Sequence, residues 1–70
     1  MFKDCFNQEI KDGDDVLISI DDVIYCGIVL GLTETKIEIV RQVWEGDKEI
    51  MIHHTYYSQE GNKLSNIYRL

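Results

Sequence analysis

Apolar side chains recur at every second position along most of this chain, and Val, Ile, Tyr and Thr fill most of the apolar and near-apolar positions. A period of two in β-branched and aromatic residues predicts strands. Val16, Ile18 and Ile20 point one way while Leu17, Ser19 and Asp21 point the other, which predicts a half-buried strand over 16–20 closed by a turn at Asp21-Asp22. The run from Ile24 to Leu32 is apolar on both faces and broken by Gly27 and Gly31, as expected of a long central strand that bends sharply. Ile24, Ile28, Leu30 and Leu32 are expected on one of its faces, Tyr25 and Val29 on the other.

Thr33-Glu34-Thr35 turns the chain into a third strand with Ile37, Ile39, Arg41 and Val43 on one face and Glu38, Val40, Gln42 and Trp44 on the other. Glu45-Gly46-Asp47-Lys48 closes the next hairpin. A fourth strand, about Glu49 to Tyr57, groups Ile50, Ile52, His54 and Tyr56 against Met51, His53, Thr55 and Tyr57; a polar loop, Ser58 to Lys63, and a short last strand, Asn66 to Leu70, follow. The segment Phe2 to Ile10 fits either a helical turn or an extra edge strand. Short strands with Gly-bearing turns predict one all-β domain over 1–70, a small closed or nearly closed five-stranded barrel.

Length and charge narrow the partners. At 70 residues with 44% hydrophobic positions, the chain is too apolar to be disordered, but burial leaves only about 3–5 kcal/mol of stability. That margin, together with a central strand apolar on both faces, predicts a homo-oligomer unless Phe2, Phe6 and Ile10 cover the outer face within one chain. The formal net charge is −6, and most of it falls in residues 1–22, where Asp4, Glu9, Asp12, Asp14, Asp15, Asp21 and Asp22 face only Lys3 and Lys11. Such a balance disfavours nucleic acid and favours a protein partner with a basic patch. The two cysteines, Cys5 and Cys26, are too few for a disulfide scaffold, no apolar run reaches the length of a membrane span, and the first residues carry no signal core. A cytoplasmic protein is expected.

Catalytic and metal chemistry find little support. Adjacent His53 and His54 on a strand face opposite sides and cannot easily share an ion; Asp12-Gly13-Asp14-Asp15 lacks the ligand alternation of a calcium loop; Ser19, Ser58 and Ser65 stand in no nucleophile motif. Neither an enzyme nor a metal or other cofactor is expected. What remains are acidic turns and aromatics. Trp44 precedes a tight turn and faces away from Ile37 and Ile39, which predicts a partly exposed indole suited to anchoring a partner.

The stretch Ile10-Lys-Asp-Gly-Asp-Asp-Val16, followed by Ile20-Asp-Asp-Val-Ile-Tyr-Cys-Gly-Ile-Val29, resembles the opening hairpin of Tudor and other SH3-like barrels, and Leu64-Ser-Asn-Ile-Tyr-Arg-Leu70 is similar to their short turn and closing strand. The resemblance implies a Tudor-like barrel in which Tyr25 matches a wall of an aromatic cage and Trp44 approximates another. Ile20 and Ile50 stand where further cage aromatics would be, leaving two walls. Residues 16–40 also resemble the first motif of Sm-like barrels, which implies a nucleic-acid or nucleotide binder, but the RNA-holding asparagine and the Ile-Arg-Gly motif are missing. Small acidic chains further resemble viral inhibitors of host nucleic-acid-binding or defence proteins. The leading expectation is a non-catalytic protein-binding module or adaptor using Asp14, Asp15, Asp21, Asp22 and Asp47 around an anchor of Tyr25 or Trp44.

Overall fold

The computed structural model describes residues 1–58 and 62–70. Among them are five strands and no helix: β1 (Asp15–Ile20), β2 (Val23–Leu32), β3 (Lys36–Glu45), β4 (Lys48–Tyr57) and β5 (Ile67–Arg69). Every pairing between these strands is antiparallel and the order is β4-β3-β2-β1-β5, so the chain is all-β, one sheet with β4 and β5 at its edges. The loop expected from Ser58 to Lys63 lies partly outside the described residues, at 59–61.

Local chemistry sets each turn. Asp21 and Asp22 join β1 to β2 between the paired Ile20 and Val23, both in the left-handed region at φ 51° and 66°. Two successive left-handed residues match a two-residue loop to the twist of its strands, and Asp enters that region more readily than most residues. Between the paired Glu45 and Lys48 a single left-handed residue, Gly46 at φ 65°, serves, the pattern of a two-residue loop with glycine in its first position. Between β2 and β3 the Thr33 hydroxyl accepts from the Lys36 N–H at 3.0 Å, while the Thr33 N–H donates to the Lys36 carbonyl at 2.8 Å.

Register then assigns the faces. Val16, Ile18 and Ile20 pair with Gly27, Tyr25 and Val23, and Ile37, Ile39, Arg41 and Val43 pair with Tyr56, His54, Ile52 and Ile50. The faces expected of β3 and β4 are those observed. This inner face carries the core, in which Phe2, Ile10, Val16, Ile18, Val29, Ile37, Ile39 and Ile67 are buried, with Ile20, Tyr25, Leu32, Tyr56 and Leu64 against them. Gly27 is where β2 passes tightest over its neighbours: a Cβ there would meet the Val40 carbonyl oxygen at 3.0 Å and Ile39 Cγ2 at 3.3 Å.

Leu32 departs from its expected face. A register shift between Val29 and Gly31 turns it inward beside Ile37, away from Ile24, Ile28 and Leu30. One extra residue in a strand flips every side chain beyond it.

The N-terminal segment is neither helix nor strand. It makes a turn over Cys5–Asn7, with Lys3 and Glu9 bridged across it. Its organiser is Asp4, one of the acids counted in the negative N-terminal third, which is in fact fully buried. Asp4 Oδ1 accepts from the N–H groups of Phe6 at 2.9 Å and Gln8 at 2.8 Å, and Oδ2 from Gln8 Nε2 and the Arg69 N–H, both at 2.9 Å. Burial pushes the carboxyl's pKa up, but the hydrogen bonds from Arg69, Gln8 and Phe6 outweigh it and hold the group below the ordinary carboxylate value. The Cys5 N–H donates to the Ile67 carbonyl at 2.8 Å. The segment therefore lies along the outer edge of β5, with Phe2 and Ile10 in the core and Phe6 outside, edge-on to Tyr68 at 5.6 Å between ring centroids. Of the three residues expected to cover the outer face, Phe6 alone does so.

Candidate functional site

An antiparallel meander turns β1 into β2 and β3 into β4 at the same end of the sheet. That end gathers Asp21, Asp22 and Asp47 from the expected set and adds Glu45 and Glu49, five carboxylates against Lys48. Asp14 and Asp15 are not part of it. They stand at the other end of β1, roughly 17 Å away for a strand of this length, where Asp14 Oδ2 accepts from the Lys11 N–H at 2.8 Å and closes a turn.

The ladder between β2 and β3 ends at Gly27 and Arg41. Beyond it the two hairpins continue as separate arms, and Asp21 to Ile24 and Trp44 to Glu49 are all exposed. Trp44 pairs with Glu49 on the outer face and is 64% exposed. Gln42 and Met51 form the next row inward and line a shallow depression of about 190 Å³ with Asp15, Cys26, Ile28 and Val40. The depression is of mixed polarity and lies one row inward from Trp44 on the same face.

Tyr25 is placed differently. It sits half-buried on the inner face, and the Arg41 guanidinium lies 4.2 Å from its ring centroid. The ring already holds a cation, supplied by the chain itself. Tyr25 and Trp44 lie on opposite faces of the sheet and form no cage together. Arg41 also donates from Nε to His54 Nε2 at 2.8 Å, which requires that nitrogen to be unprotonated; burial, and then the Arg41 charge, push the His54 pKa below 6.5. Arg41 is not among the expected site residues, although its signal was present: it is the one charged side chain between Ile37 and Val43 on the core-facing side of β3.

His53 lies on the outer face with Nδ1 2.6 Å from Glu38 Oε1, so the adjacent histidines do point apart. Among the described residues no three His, Cys, Asp or Glu side chains converge on a position suited to a metal ion. A second groove, about 360 Å³ and almost wholly apolar, opens on the outer face between Phe6, Leu17, Ile24 and Tyr68. Comparisons with protein-family models, with curated proteins and with solved structures return no match.

Proposed function

We propose that this chain is a non-catalytic protein-binding module, and that the end carrying both hairpin tips takes a basic segment of a protein partner with Trp44 as its anchor. One observation carries the reading: the meander puts both tight turns at one end of the sheet, where Asp21, Asp22, Glu45, Asp47 and Glu49 are exposed at the same end as the Trp44 indole. Carboxylates at a rim attract and orient a cationic chain, and a large aromatic at the centre supplies the desolvated contact that holds it. An SH3-like barrel is the architecture we infer, supported by β1 pairing both β2 and β5 and by the bend of β2 at Val29 and Gly31.

An inhibitor imitating nucleic acid needs carboxylates in a row, like phosphates. Here Asp4 is buried and the other acids of the first 22 residues divide between two ends of β1, which favours the protein-binding reading. The test is affinity capture with a panel of Lys- and Arg-rich peptides. Trp44→Ala and the Asp21→Lys, Asp22→Lys double change should each reduce retention at least tenfold, and added salt should weaken it. Peptides retained equally by all three proteins would refute the proposal.

A further inference from the structure

We propose that the free edge of β4 is a self-pairing surface, through which two copies of this chain join β4 to β4 antiparallel about a twofold axis in one continuous ten-stranded sheet. The two edges of the sheet are treated unequally. At β5 the Cys5 N–H donates to the Ile67 carbonyl and Asp4 Oδ2 accepts from the Arg69 N–H, so the chain's own N-terminal segment occupies that edge.

At β4 nothing comparable occurs among the described residues. Ten residues, Lys48 to Tyr57, pair with β3 in unbroken register, with no bulge and no proline. The Ser58 N–H donates to the Thr35 carbonyl at 2.7 Å, and a two-residue loop separates Glu45 from Lys48. Antiparallel bonding alternates along a strand, so these fixed points leave the N–H and C=O groups of Glu49, Met51, His53, Thr55 and Tyr57 directed away from β3. A long, unbroken edge with no Lys, Arg, Asp or Glu between Glu49 and Tyr57 is a template for another strand.

A second copy fits this edge in charge as well as in shape. With the twofold axis at His53, Glu49 of one copy stands opposite Tyr57 of the other and Met51 opposite Thr55. Lys36 pairs with Tyr57 on the same outer face. Each Glu49 therefore reaches toward Lys36 of the other copy across one tyrosine, and the symmetry makes the contact twice. The antiparallel arrangement also points the two acidic ends in opposite directions, which limits repulsion between chains of charge −6. A head-to-tail contact of β4 with β5 of another copy is blocked, because the chain's own N-terminal segment occupies that edge. The assembly closes at two.

Light scattering over a dilution series should give a dimer mass at high concentration and a monomer on dilution. Amide exchange at Met51, His53, Thr55 and Tyr57 should be slow in the dimer and fast in the monomer. Thr55→Pro removes an outward N–H without touching the bonds to β3 and should give a folded monomer throughout. Should that variant fail to fold, Glu49→Lys alone should weaken dimerisation about tenfold, and adding Lys36→Glu should restore it. A monomer mass at the highest concentration, species larger than a dimer, a Thr55→Pro protein that still dimerises, or a charge swap that fails to restore the dimer would each overturn the proposal.

Discussion

Replacing Asp4 by Asn preserves shape and removes charge, and the structure sets the consequence. Asn keeps one carbonyl oxygen for the N–H groups of Phe6 and Gln8, but turns an NH2 group toward Gln8 Nε2 and the Arg69 N–H, where Asp4 now accepts at 2.9 Å. A hydrogen bond to a charged group contributes about 1.5–3 kcal/mol, and a buried donor facing another donor adds its own penalty. Two such bonds lost, with some relaxation, cost about 3 kcal/mol. Against a total of about 3–5 kcal/mol for a domain of this size, that leaves the variant near its unfolding midpoint. Urea denaturation followed by Trp44 fluorescence should show the midpoint falling by about 3 M, taking a slope of about 1 kcal/mol per M. Asp12→Asn, an exposed acid in the same third of the chain, should stay within about 0.5 kcal/mol of the parent. The sign with pH is fixed as well. Because the folded Asp4 pKa is lowered, its contribution is whole above the unfolded value of about 3.9 and is lost as pH falls through the folded value. If Asp4→Asn costs no more than Asp12→Asn, Asp4 does not organise the N-terminal segment.

His54 gives a second pH signature: its folded pKa lies below 6.5, so stability is whole above about 6.5 and declines as pH drops toward the folded value, and His54→Gln should abolish that slope in urea titrations between about pH 7.5 and 5. Gly27→Ala, with its Cβ 3.0 Å from the Val40 carbonyl oxygen, should lose about 1–3 kcal/mol, whereas Gly31→Ala, which meets nothing within 4 Å, should be close to neutral in the same denaturation assay. Asp22→Gly relieves a left-handed aspartate at φ 66° and should raise the melting temperature, with a gain of up to about 1 kcal/mol; a loss would show that the Asp22 side chain holds the turn.

Strand order along the chain was readable because the period-two pattern of β1, β3 and β4 follows from burial of one face, and because Asp21-Asp22 and Gly46-Asp47 carry the chemistry of tight turns. The bulge was not readable. Gly31 announces a bend, but whether a residue is slipped depends on β3, and with it the side on which Leu32 lands. Asp4 was opaque for a similar reason: its ligands are Phe6 and Gln8 nearby and Arg69 at the far end of the chain, and no local pattern marks an acid bonded across that separation. At the candidate site, spacing alone placed Trp44 on the outer face. That Asp47 joins Asp21 and Asp22 while Asp14 and Asp15 do not follows from the meander, which only pairing defines. Tyr25 was read as open to a ligand because the cation over it comes from a different strand.

The stitch between residues 2–10 and residues 62–70 bears on the order in which this molecule can be completed. During synthesis the hairpins of β1 to β4 can form as they emerge, but Phe2, Asp4 and Ile10 must wait for β5. Until residue 69 has been made, Asp4 lacks the Arg69 N–H and the Cys5 N–H has no Ile67 carbonyl. The segment that precedes β1 is thus among the last to find its place, and closing so long a loop slows the final step. A nascent chain stalled before β5 would carry the segment before β1 loose and leave the inner face of β1 without Phe2, Ile10 and Ile67, a form that a protease or a chaperone can distinguish from the finished protein.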